Sequence, residues 1–279
     1  MPRSPRSTTR VPTRLGLLAV HTIGEGPTAV LWHSTFTDSR CYQRVVDRLS
    51  TRRRLLLVDG PGWGASDPLL ATTTLTECAL AAEDLLDGVG VTGAVDWVGT
   101  AWGGRVGYRL VGTRPGRLRT LVAVNAPTAP LPRWQRHVLT AVSAVLEHLG
   151  PVAPVRALLR STQFTGACRA RDPGALALLT GSLEAADPRS QAASLRSFVI
   201  GRTDLGPELA RAIVPVLIIA GAEQQDLSPA RARELAATCR SATAIVVPGA
   251  RTLLPVERPA EFTAAVLAFW ERNPVNPVD

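Results

Sequence analysis

The 279-residue chain has no lysine, a single methionine and two tyrosines, and only 5% of it is aromatic. All 31 cationic side chains are therefore arginines; with the heavy use of Ala, Gly, Pro and Val, this reflects a GC-rich coding sequence more than a function. The four cysteines (Cys41, Cys78, Cys168 and Cys239) stand far apart. None forms a metal-type or redox pair, which argues against a zinc module or disulfide scaffold and for structural thiols in a reducing cytoplasm. No apolar run approaches the ~20 residues of a membrane span. The basic N-terminus lacks a signal-peptide core, because Leu15–Val20 is too short. The expectation is a soluble, cytoplasmic protein with no membrane partner. The net charge of +8 is dispersed, apart from Arg3, Arg6, Arg10 and Arg14 and the run Arg52–Arg54. Without a basic face interleaved with aromatics, nucleic acid is not an expected partner. There is no metal-ligand cluster, paired-carboxylate motif or phosphate-cradling glycine loop, so neither a metal nor a cofactor is expected. A small-molecule ligand is the expected partner. Oligomeric state is not legible.

Residues 1–14, rich in Pro, Ser, Thr and Arg, read as a flexible tail. Strand patterns follow at Leu15–Thr22, Thr28–His33, Leu55–Asp59, Val95–Val98 and Leu121–Asn125. Helical patterns fall between them at Tyr42–Leu49, Thr76–Leu86 and Gly104–Val111. From about Pro127 to Pro207 only helical spacing appears, as in Val138, Val142, Val145, Leu146 and Leu149. Strand–helix alternation returns from Pro215 to Trp270. Such alternation predicts an α/β fold, a mostly parallel sheet with helices on both faces. The predicted division is a core of 15–126 and 208–279, with a helical cap of 127–207 inserted after the sixth strand.

Residues 98–104 read VGTAWGG between a strand and a helix. This is the context of a nucleophile elbow, G-x-Nuc-x-G, in which a sharp turn lifts one side chain above the sheet. Gly99 and Gly103 occupy the glycine positions and Ala101 the apex. Three further segments strengthen the pattern: LWHST at 31–35, DGPGWGASD at 59–67, and VPGARTLLPVERP at 247–259. From about residue 15 to 272 the chain resembles the α/β-hydrolase superfamily. The resemblance implies that the first segment supplies half of an oxyanion hole and that the last is the family's closing His-bearing segment with its E-x-P.

That chemistry needs a nucleophile, a histidine and a carboxylate that orients it. The resemblance assigns the apex to Ala101, the acid position to Gln224, three residues past Gly221, and the histidine position to Thr252, five before Glu257. An alanine methyl cannot attack a carbonyl, glutamine carries no charge to steady an imidazolium, and threonine does not titrate near neutrality. What the resemblance leaves is the backbone N–H pair of Thr35 and Trp102 as an oxyanion hole. Ser34, Asp38, Asp226 and Arg251 are candidate catalytic groups, against surface, cap or structural readings for each; Glu223 is a further candidate acid. His33, Phe36 and Leu253 are expected on the substrate side, with His33 also a candidate structural hydrogen-bonder. His21 reads as a strand-surface residue, and His137 and His148 as a solvated helix face. The Ala-Trp-Gly-Gly string resembles haloalkane dehalogenases and epoxide hydrolases, but the Asp that precedes Trp there is absent. Trp32, Trp63 and Trp102 read either as pocket lining or as core.

Three functional readings stay open. The first is a non-hydrolytic enzyme that cyclises, eliminates or isomerises a small apolar intermediate of bacterial specialised metabolism. The second is a non-catalytic ligand-binding or scaffold pseudoenzyme. The third is a hydrolase with a relocated acid or base, with Asp226 its leading candidate.

Overall fold

A computed structural model describes residues 6–275. Eight strands form one sheet in the order β1-β2-β4-β3-β5-β6-β7-β8. They are β1 (Arg6–Thr13), β2 (Gly16–Ile23), β3 (Thr28–Trp32), β4 (Arg54–Asp59), β5 (Val95–Thr100), β6 (Leu118–Val124), β7 (Val216–Gly221) and β8 (Ala242–Val247). The β1–β2 and β2–β4 pairs are antiparallel; β3 through β8 run parallel to one another. Central strands such as β5 (VDWVGT) and β7 (VLIIAG) are buried at every residue, because helices cover both faces.

The predicted tail is the one element that changes type. Residues 1–5 lie outside the described residues, but Arg6–Thr13 is an edge strand paired with β2 along its full length. The TTRV run supplies β-branched residues, and Val11 is buried against the core while its neighbours face water. Arg14 closes the hairpin by binding Asp84 through its amide and guanidinium. The helix expected at Tyr42–Leu49 is split into a 3-10 turn, Ser39–Tyr42, and a short helix, Val46–Leu49. The remaining helical readings hold to within a few residues. Leu75–Gly88 opens on an N-cap, Thr74 Oγ1 accepting from the Glu77 amide at 3.0 Å.

The strand order reverses at β3, whose two neighbours are β4 and β5. In open α/β sheets ligands bind outside the carboxyl ends of the strands at such a point. Residues 33–36 and 100–102 emerge there, beneath the helical cap that fills the interval between β6 and β7. Cap helix Arg133–Leu149 packs against helix Pro188–Ser194, which continues as a π-helical turn, Leu195–Ile200. Wide turns of this kind often mark functional sites. Among the described residues no helix is long and apolar enough to cross a membrane.

Asp59 anchors the DGPGWGASD turn to this edge. Burial pushes its carboxyl up, but hydrogen bonds from the His21 ring (3.1 Å) and the Ala65 and Ser39 amides (both 2.9 Å) outweigh burial and bring it down to about 2. Because its ordinary value is 3.8, this carboxylate stabilises the fold above about pH 4, and that contribution disappears as pH falls toward 2. Urea unfolding at pH 7, 4 and 2.5 should reveal the loss, about 2 kcal/mol from this group, and Asp59→Asn should lack it.

Candidate active site

The elbow is built as its sequence requires. Ala101 has φ 49° and ψ −104°, a strained conformation that costs a non-glycine residue on the order of 1–3 kcal/mol. The turn is tight enough that glycine is obligatory on both sides. A Cβ on Gly99 would lie 2.1 Å from the Gly103 carbonyl carbon, and one on Gly103 would lie 2.1 Å from the Trp32 oxygen. Two tryptophans buttress it: Trp97 Nε1 donates to the Gly103 carbonyl at 2.9 Å, and Trp32 stacks on Trp97 at 5.6 Å. Helix Trp102–Thr113 begins directly after the apex.

A cavity of about 240 Å³ lies between this elbow and the cap. Ser34, Thr35, Phe36, Ala101, Trp102, Gln224, Asp226, Arg251 and Thr252 all line it, so segments far apart in the chain meet at one place. The cap contributes apolar wall, including Leu139, Val142, Leu159, Leu195 and Phe198. Trp102 stacks on Phe198 with ring centroids 4.3 Å apart, locking the elbow side chain to the π-helical turn. Neither the Thr35 nor the Trp102 amide donates a hydrogen bond among the described residues, leaving both available to a bound oxygen.

The positions that the sequence resemblance assigns to the acid and the histidine, Gln224 and Thr252, are joined by a neutral contact. Gln224 Nε2 donates to Thr252 Oγ1 at 3.0 Å, and Thr252 Oγ1 donates to the Thr162 carbonyl at 2.9 Å. Gln224 Oε1 accepts from the Gln225 amide at 2.7 Å. Asn125, which sequence reading passed over, holds this wall together. Its Nδ2 donates to the carbonyls of Arg251 (2.5 Å) and Thr252 (3.1 Å), and its Oδ1 accepts from the Gly221 amide (2.7 Å). An asparagine directly after a strand, the residue type that tolerates the positive φ it adopts here (49°), was the available signal.

Several expected site residues do other work. His33 is fully buried behind the cavity: Nδ1 donates to the Ser34 carbonyl (2.7 Å) and Nε2 accepts from the Gly60 amide (2.8 Å). Burial lowers its pKa, so it is a neutral structural hydrogen-bonder and not a substrate contact. Leu253 is buried in the core and does not reach the cavity. Asp38 is also away from the cavity. It caps the Ser39–Tyr42 turn, and its carboxylate is committed to Arg40 and to Ser182 of the cap (2.8 Å). Arg251 lines the cavity, but its guanidinium is spent on the carbonyls of Glu223 and Ser161. Asp226 pairs with Arg202 at 2.9 Å. Glu257 binds the Thr165 and Arg251 amides at 2.8 and 2.6 Å, while burial raises its carboxyl. Trp32 and Trp63 are core residues; Trp102 and the exposed Trp134 belong to the cavity wall.

The alpha/beta hydrolase family model matches residues 29–266, and the chain belongs to that family. It is 31% identical over 269 residues to a pimeloyl-[acyl-carrier protein] methyl ester esterase of Edwardsiella ictaluri, covering 91% of this chain and 98% of that one. It is 28% identical over 254 residues to polyketide synthase ThaQ of Burkholderia thailandensis, covering 90% of this chain. Against that synthase the chain spans only 12% of the length. A hydrolase from Pseudomonas aeruginosa superposes with TM-score 0.86 at 27% identity, covering 94% of this chain and 98% of that one. An enol-lactonase from Burkholderia xenovorans superposes with TM-score 0.85 at 24% identity (96% and 100% covered), a likeness of fold.

Proposed function

We propose that this α/β-hydrolase works without the Ser/Asp–His–acid triad and is a non-hydrolytic enzyme. In this reading it cyclises, eliminates or isomerises a small, largely apolar intermediate in bacterial specialised metabolism. One observation carries the proposal. Ala101, Gln224 and Thr252 line the same cavity, and Gln224 and Thr252 are joined by the neutral 3.0 Å hydrogen bond where an acid and a histidine would stand. The strained elbow persists although its apex bears only a methyl group. A purely structural turn would be under no physical need to retain that strain.

The chemistry follows from what remains. A carbonyl oxygen placed between the Thr35 and Trp102 amides gains hydrogen bonds as negative charge develops on it, which lowers the barrier to enolisation or ring closure. The apolar cap wall excludes water and holds the chain folded, converting flexible reactants into a near-attack arrangement. With Ala101 at the apex no acyl-enzyme forms there, and with Thr252 in place of a histidine no imidazole activates water against the carbonyl. The 3.0 Å Gln224–Thr252 pair is a polar contact for substrate hydroxyl or carbonyl groups. The relocated-base alternative is disfavoured because Asp226 is already held by Arg202. The similarity to a polyketide synthase segment and to an esterase of acyl-carrier substrates supports a biosynthetic setting.

The test is metabolite profiling of a strain lacking the gene, with purified protein then added to the extract. The expected result is an accumulating species that the protein converts with unchanged mass or with loss of water. Gain of water would establish hydrolysis, and binding without conversion would establish the non-catalytic reading.

A further inference from the structure

The cavity has one cationic wall that the proposed chemistry does not use. Arg105 stands four residues past Ala101, on the same face of helix Trp102–Thr113. It is 2% exposed and lines the cavity, yet forms no salt bridge among the described residues. Its Nη1 and Nη2 donate to the carbonyls of Pro127 (2.6 Å) and Thr203 (3.0 Å), and its Nε has no acceptor. Arg202 lines the same cavity with a side chain 10% exposed, and its Nε is likewise unpartnered. Nearby Arg109 binds Glu208 at 2.5 Å and Thr203 Oγ1 at 3.3 Å, again with an unpartnered Nε.

The charges do not balance. Asp226 answers Arg202 and Glu208 answers Arg109. Asp204 is exposed and turned to the Gly206 amide, leaving Arg105 without a paired carboxylate. Burial and the neighbouring Arg202 lower the Arg105 pKa to about 9. A guanidinium left unpaired away from water is costly unless an anion arrives. With both Arg105 Nη atoms already donating to carbonyls, Nε is the donor left for a carboxylate, a charge-assisted contact.

We propose that the Arg105–Arg202 wall is an anion subsite, and that the cavity's ligand is amphiphilic: an apolar chain carrying a carboxylate. The proposal rests on the reading of this cavity as the ligand site. The carboxylate binds at Arg105 and Arg202, the apolar chain lies along Leu139, Val142 and Phe198, and a carbonyl between the two meets the elbow amides.

Calorimetric titration of the full chain with octanoate and with 1-octanol, a matched pair differing in the anionic head, tests it. Octanoate should bind about tenfold or more tightly than octanol, the effect of a charge-assisted contact. Arg202→Gln should abolish most of that preference, weakening octanoate far more than octanol. Asp226→Asn frees Arg202 and should strengthen octanoate binding several-fold, a gain that should disappear when Arg202→Gln is added. Arg105→Gln should also remove the preference; should it fail to fold, the Arg202 and Asp226 variants decide. Equal binding of the two probes, or a preference unchanged in Arg202→Gln and Asp226→Asn, overturns the subsite alone. Binding of neither probe overturns the subsite together with the reading of the cavity as the ligand site.

Discussion

The wild-type protein should leave p-nitrophenyl butyrate at its spontaneous rate, and the triple variant A101S/Q224D/T252H should hydrolyse it at least about a hundredfold faster. The elbow makes this a fair test. Its apex is already at φ 49° and ψ −104°, so a serine at 101 inherits the lifted position without rearranging the backbone. Position 252 lines the cavity and position 224 is in hydrogen-bond contact with it at 3.0 Å, so a histidine and an aspartate there replace one contacting pair with another. The single variant A101S should stay at background, because a serine hydroxyl is a weak nucleophile until a histidine takes its proton. Triad members act as a unit, so one restored member recovers almost nothing. Initial-rate measurements on the wild type, A101S and the triple variant separate the outcomes. Wild-type turnover well above the uncatalysed rate would mean that another group supplies the nucleophile, and the non-hydrolytic reading would fall.

The second large effect concerns stability. Asp96→Ala should cost about 3–5 kcal/mol in urea unfolding. Asp96 is wholly buried in β5, the strand that delivers the elbow. It accepts from Arg53 Nε (2.6 Å), Arg119 Nη2 (2.6 Å) and Thr120 Oγ1 (2.6 Å), at the point where the β5–β6 register shifts. Removing the carboxylate leaves two mostly buried guanidiniums without their counter-charge, and a charge stripped of its partner costs far more than the intact pair contributes. Arg53 also stacks over Trp270 at 4.8 Å, tying the last helix to the same cluster. Replacing Asp96, Arg53 and Arg119 together with apolar residues of similar volume should recover most of the loss. A small effect of Asp96→Ala alone would mean that water reaches this cluster.

Most of the fold was legible because it is encoded locally. The short, largely apolar segments at 55–59, 95–98 and 215–220, alternating with helical patterns, read as buried parallel strands, and VGTAWGG combined tight glycines with a strand–helix junction. The edge strand Arg6–Thr13 was misread because its composition is that of a tail. Only pairing with β2 and the Arg14–Asp84 contact make it a strand. Counting from motif residues placed Ala101, Gln224 and Thr252, and all three line one cavity. Counting could not foresee that His33 would be closed off between Ser34 and Gly60, that Asp38 would be consumed by Arg40 and Ser182, or that Leu253 would turn into the core.

By itself, then, the sequence determined the α/β architecture and the strand–turn–helix of the elbow, since hydrophobic period, turn glycines and motif spacing are short-range properties. Tertiary structure alone decided which charges are answered. Arg105 and Arg202 are two arginines among 31 in the sequence. They become an unbalanced cationic wall only when a core helix and the end of the cap meet across one cavity. Electrostatic pairing depends on distance in space and on burial, and neither is a function of separation along the chain.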